Sequence, residues 1–196
     1  MTALLFACLG AGARVPDKLH LGADWGFTAT ALRFHHYNYL DESIGFRVDD
    51  SGWTSDIGAN GFVYLTVGFD VTDRLKLDAY AGYAGVNDNV RIVPVLVGAT
   101  WFLRSGGVDG FFLYARGGEG FKPRKSGPPI IMGTAGPGFR LALSRRSSID
   151  VKLGIQFSID HPEVWDPVER QYISPHNIRR NDATYYGVNL GIALNL

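Results

Sequence analysis

A serine, an aspartate and a histidine stand close together at Ser158, Asp160 and His161, and two more histidines are adjacent at His35 and His36. These are the residue types of acyl-transfer and hydrolytic centres, in which a base removes the proton of a hydroxyl nucleophile. Such a base must lie within hydrogen-bond reach of the nucleophile, and the spacing in the chain does not by itself supply that. With His176 added, the same residues could approach a metal. Zinc needs three or four ligands converging at about 2 Å, and no ligand pair of the His-Glu-x-x-His kind is present. The histidines therefore read as exposed loop residues, and neither a metal nor a cofactor is expected.

Other motifs carry less. Gly117-Gly118-Glu119-Gly120 lacks the Lys-Ser/Thr of a phosphate loop and precedes no helical pattern, so it reads as close packing or a bulge. Arg145-Arg146 and Arg179-Arg180 read as solvated turn charges. One cysteine, Cys8, rules out an internal disulfide. Basic and acidic residues number 19 each, so no excess of Lys and Arg points to nucleic acid.

The elements that position these residues are strands. From Ile149 to Asp160 the apolar residues Ile149, Val151, Leu153, Ile155, Phe157 and Ile159 alternate with Asp150, Lys152, Gly154, Gln156, Ser158 and Asp160. That is period two, the signature of a strand with one apolar face. Residues 186–196 repeat it, and so do 19–30, 62–71, 75–85 and 131–143. Residues 91–103 are apolar on both faces, and 111–122 are blurred by glycine, yet both read as strands. Pro94 cannot donate to a ladder and is expected at a bulge or a locally unpaired position. The total is eight strands.

The connections differ in kind. Residues 70–74, 104–110 and 144–148 are short and turn-like, whereas 41–60, 120–129 and 161–182 are long and rich in Gly, Pro, Asp and Asn, with Asn87-Asp88-Asn89 as a tight exception. Short turns at one end and long loops at the other mark a membrane barrel. No apolar run reaches the length of a membrane-spanning helix, so a chain that crosses a bilayer must do so as a closed barrel.

Alternation alone leaves open which face is inside. The polar face is heavy with glycine, including Gly22, Gly26, Gly68, Gly82, Gly138, Gly154 and Gly191. A solvated strand gains nothing from glycine, but the lumen of an eight-stranded barrel is only just wide enough for side chains. Its charges are mixed in sign, namely Asp24, Asp70, Lys76, Asp78, Arg116, Arg140, Asp150 and Lys152, as mutual compensation inside a plugged lumen requires. Aromatics fall into two belts, Phe69, Trp101 and Phe111 near the short turns, and Tyr83, Phe121, Phe157 and Tyr186 near the long loops.

The chain from Leu19 to Leu196 resembles the small eight-stranded outer-membrane barrels of the OmpA and OmpX type, through this architecture and through the alternating terminal strand Tyr186–Leu196. The usual final aromatic is replaced here by Leu196. The resemblance implies an all-β, closed, antiparallel, up-and-down transmembrane barrel in a bacterial outer membrane. It further implies a monomer, contact with outer-membrane lipid and lipopolysaccharide, the latter at Arg179-Arg180, and delivery by the barrel-assembly machinery. A structural or surface-interaction role follows, with an extracellular ligand held by loops Ser43–Asn60 and His161–Asp182. Two alternatives remain at this stage. One is a lipid A acyltransferase or deacylase at the bilayer rim, using the histidines, Ser158 and Asp160. The other is a soluble lipocalin-like carrier. Met1–Ala13 reads as a signal-peptide remnant ending in a small-x-small site, and residues 14–196 as one barrel domain.

Overall fold

The computed structural model describes residues 18–41, 45–87, 90–104, 108–123, 127–144, 147–166 and 170–196. The expected signal-peptide remnant and Arg145-Arg146 lie outside them. The strands are β1 (Leu19–Asp41), β2 (Phe46–Asp70), β3 (Leu75–Asn87), β4 (Val90–Phe102), β5 (Gly110–Phe121), β6 (Ile130–Ala142), β7 (Ser148–Asp160), β8 (Trp165–Asp166), β9 (Gln171–Tyr172) and β10 (Ile178–Asn195). Eight of them close a barrel in the order β1-β10-β7-β6-β5-β4-β3-β2, and β8 pairs with β9 as a separate two-stranded sheet. Every pairing is antiparallel, and β1 seals the ring against β10 with Trp25 opposite Ile192.

Strands β3 to β7 run for 12–13 residues, longer than the 9–11 or so that a tilted strand needs to cross hydrocarbon. Along each strand burial alternates, so that Val95 and Val97 are exposed on β4 while Leu96 between them is buried. Pro94 is accommodated by a gap. The β3–β4 ladder breaks off after Ala81 opposite Val95 and resumes at Ala84 opposite Ile92 without a change of register. Pro137 does the same on β6, where pairing with β7 skips from Ala135–Ile155 to Gly138–Lys152.

Two expectations need correction. Residues 46–60 are not loop but the first part of β2, paired with an equally extended β1, and 178–182 belong to β10. Beyond the barrel rim both faces of a strand meet water, so the period-two signal that marks a lipid-facing strand vanishes while the ladder persists. Register shifts between Thr30 and Leu32 mark where β1 leaves the wall. The connection between β7 and β10 is likewise shorter than expected and holds the small β8–β9 sheet and a 3-10 turn at Pro175–Asn177.

Candidate functional site: the barrel interior and the raised sheet

Burial of the polar face places Asp24, Lys76, Asp78, Arg116, Arg140, Asp150 and Lys152 inside the barrel. Asp24 of β1 is the hub of the middle layer. Its Oδ2 accepts from Arg116 Nη1 at 2.7 Å and from Lys152 Nζ at 3.1 Å, which joins β1 to β5 and β7 across the lumen. The Arg116 guanidinium lies 5.0–5.4 Å from the ring centres of Phe62, Tyr64 and Tyr80, a distance at which cation and ring attract. Towards the long-connection end from it, Asn189 donates to Thr28 and Gln156.

A second network fills the short-turn end. Lys76 pairs with Asp78 at 3.1 Å and donates to Asn195, which donates to Asp150. Arg140 grips both oxygens of Asp150 at 2.7 Å and lies over Phe102. Two parallel charge-assisted bonds of this kind fix geometry as well as charge. Asp70 stands apart from both networks. It lies half-exposed at the barrel end and pairs with His20.

Not all of the lumen is polar. Towards the long-connection end Ile92, Leu96, Ile130, Met132 and Val86 form a buried apolar layer inside the barrel. This explains why β4 is apolar on both faces: one face coats the barrel, and the other packs in this inner layer. Glycine makes the space for these side chains. At Gly138 an added Cβ would stand 2.2 Å from the ring of Phe112, which is fully buried. We expect Gly138→Val to lower unfolding stability by about 1–3 kcal/mol, the usual range for overpacking, measured as a shift in the urea midpoint of the detergent-folded protein.

The outward side chains form a continuous apolar coat, among them Phe27, Leu65, Val97, Leu113, Leu153, Ile155 and Leu190, over a wall without a free edge. A polar core inside an apolar coat is stable only in hydrocarbon. The fold is that of a transmembrane β-barrel. With its even strand number and its long connections gathered at one end, the barrel has the construction of bacterial outer-membrane proteins. The apolar faces point outward, opposite to the arrangement of a lipocalin-like carrier.

No family model and no curated sequence matches the chain. Among solved structures it is similar to the outer membrane protein OprG from Pseudomonas aeruginosa, with 11% identity, a TM-score of 0.47, and coverage of 90% of this chain and 95% of that one. It is also similar to the N-terminal β-barrel domain of Pseudomonas aeruginosa OprF, at 11% identity and a TM-score of 0.40, over 89% of this chain and 97% of that one. The outer membrane protease OmpT from Escherichia coli is similar at 10% identity and a TM-score of 0.40, over 90% of this chain and 96% of that one. The fold assignment rests on the barrel's own closed ladder and apolar coat.

Above the rim, β10, β1 and β2 continue as a raised three-stranded sheet. Pairing of β1 with β2 runs on from Leu32–Ser55 to Asp41–Phe46, and β10 follows β1 as far as Tyr39–Ile178. Strand β7 stops at Asp160, opposite Ala183, so it does not accompany β10 upward. Facing side chains tie the sheet together. His35 meets Asp50 at 3.3 Å and His36 meets Asp49 at 2.9 Å, while the rings of Phe34, Trp53 and Tyr186 pack at a tilt with centres 5.1 and 5.5 Å apart.

The candidate rim chemistry is not assembled. The Ser158 side chain is buried in the barrel, Lys122 holds Asp160, and the His161 ring turns to Asp182 at 3.0 Å. His176 is exposed on the 3-10 turn. Among the described residues no three His, Cys, Asp or Glu side chains converge as metal ligands. The aromatic rings around Arg116 escaped the sequence reading, although Tyr64 lies at a polar-face position of β2. Period two assigns a side chain to the lumen but does not say which side chains meet across it.

Proposed function

We propose that the protein is a monomeric, rigid outer-membrane barrel with a non-enzymatic surface-interaction role, and that its contact element is the raised sheet rather than flexible loops. The observation that carries this reading is the ladder between β1 and β2, which persists to Asp41–Phe46, well past the end of β3 at Asn87. An ordered sheet lifted from the membrane presents fixed side chains, Phe46 and Trp53 among the exposed ones. Its outer edge along β2, from Phe46 to Gly61, faces no strand among the described residues. Such an edge can pair with an extended segment of a partner. The filled lumen supports a structural rather than a conducting barrel. In this reading Arg179 and Arg180, exposed at the start of β10 in the raised sheet where Arg180 also pairs with Asp182, meet lipopolysaccharide phosphates, and the terminal strand is read by the assembly machinery.

The test has two readouts. In planar bilayers the folded protein should show no stable conductance, and steady ohmic channels would contradict the plugged lumen. Bacteria carrying the chain with residues 34–53 replaced by a two-residue turn should keep a heat-modifiable barrel but lose adherence to host cells and to one another. Unchanged adherence in the shortened form would overturn the contact role.

A further inference from the structure

The barrel wall has a split at its upper rim. Strands β2 and β3 pair only from Asp70–Lys76 up to Phe62–Ala84. Above that point β2 departs with β1, while β3 bends inward until the Val86 carbonyl accepts a hydrogen bond from Thr30 of β1. No β3 residue stands opposite Gly61 or Asn60. A groove of about 410 Å³ follows the split on the outer surface. Its floor is Gly61, its walls are Trp25 and Phe27 on one side and Tyr83 on the other, and Val63 closes it towards the membrane centre.

The upper end of the groove is built for an anion. Arg91 reaches across the split, past Gly85, and donates through Nη1 to Asn60 Oδ1 at 2.9 Å and to the Asn87 and Val90 carbonyls. Gly85 is required there, since a Cβ would come within 2.6 Å of Asn60 Oδ1. Asn60 itself is 4% exposed and in phase with the inward-facing Phe62 and Tyr64 of β2, so the groove meets the Arg91 guanidinium and not the buried Asn60 amide. A guanidinium at the polar end of an apolar groove calls for acceptor oxygens joined to a hydrocarbon chain.

We propose that this groove binds one phosphate-headed amphiphile of the surrounding membrane. Its phosphate lies against Arg91, and one acyl chain runs down over Gly61 between Phe27 and Tyr83. Polarity and depth agree, because the apolar end of the groove continues into the lipid-facing wall at Val63 and Leu65. The site is separate from the raised sheet's contact role, so either can fail alone.

The test uses the detergent-folded full chain with Trp53, Trp101 and Trp165 replaced by phenylalanine and a dansyl-labelled single-chain phosphatidic acid, read by energy transfer from Trp25. The same label on a choline-headed chain is the comparison. The phosphate-headed probe should bind about tenfold tighter, and Arg91→Gln should remove that difference, as expected for loss of a charge-assisted pair. Gly61→Leu should weaken both probes by filling the floor. It should fold normally, because a Cβ at Gly61 meets nothing closer than 3.8 Å. Equal binding of the two head groups, or unchanged binding in folded Arg91→Gln or Gly61→Leu, would overturn the proposal. So would displacement of the probe by inorganic phosphate at matching concentrations, which would make this a site for the free ion. Should Arg91→Gln fail to fold, the Gly61→Leu result and the head-group comparison decide alone.

Discussion

Replacing Asp24 by asparagine is expected to destabilise the folded barrel by about 3–5 kcal/mol, the cost of leaving buried charges without their partner. The carboxylate is fully buried and faces two cations, Arg116 and Lys152, through a single oxygen. Asparagine keeps the shape and removes the charge, so any loss reports electrostatics rather than packing. The rings of Phe62, Tyr64 and Tyr80 would still surround Arg116, but a quadrupole does not neutralise a guanidinium. Urea titration of protein folded into phospholipid vesicles, followed by tryptophan fluorescence, gives the number. The double variant Asp24→Asn, Lys152→Met should recover part of the loss, because one stranded cation goes with the anion. A midpoint unchanged by Asp24→Asn would mean that water, not Asp24, compensates these cations.

The second large effect concerns the coat. Val97 lies on the outer face of β4, between Ala79 of β3 and Gly117 of β5, midway along the strand. Val97→Arg is expected to cost about 2–4 kcal/mol in vesicles, the range for a cation at the bilayer midplane. Ile57→Arg is the internal control. Ile57 is 85% exposed, more than Val97 at 69%, but it belongs to the part of β2 that has left the wall. Its substitution should stay within about 0.5 kcal/mol, as for an ordinary surface position. Exposure alone would rank the two the other way, so the contrast separates exposure to lipid from exposure to water.

Much of this fold is legible in the chain, because lipid on one side and a narrow lumen on the other impose period two wherever a strand crosses the membrane. Residues 149–160 and 186–196 show it without a break. The signal fades where that cause is absent. Strand β2 above Gly58 is largely exposed on both faces, so residues 46–60 read as loop although they pair with β1 apart from the irregularity at Asp56 and Ile57. It fades again at Ile92 and Leu96, whose inward side chains are apolar like the outward ones beside them, so that β4 shows no alternation. The charges Asp24, Arg116 and Lys152 stand out on the polar face, but their convergence on one carboxylate oxygen depends on the closure of β1 against β10. The groove is less visible still. It exists because the β2–β3 ladder stops at Phe62–Ala84, and no residue type near that point announces a split.

The central claim, an apolar coat set in hydrocarbon around a filled core, is tested most directly by the depth of the tryptophans. Trp25 and Trp101 point outward from the barrel wall, while Trp165 belongs to the small sheet in the connection between β7 and β10. Single-tryptophan variants would be folded into vesicles of lipids brominated along the acyl chain, and their fluorescence compared with that in unbrominated vesicles. Strong quenching at Trp25 and Trp101 with little at Trp165 is the result this structure predicts. Equal emission from Trp25 and Trp101 in the two kinds of vesicle would place the coat outside the hydrocarbon and contradict the barrel's membrane-spanning assignment.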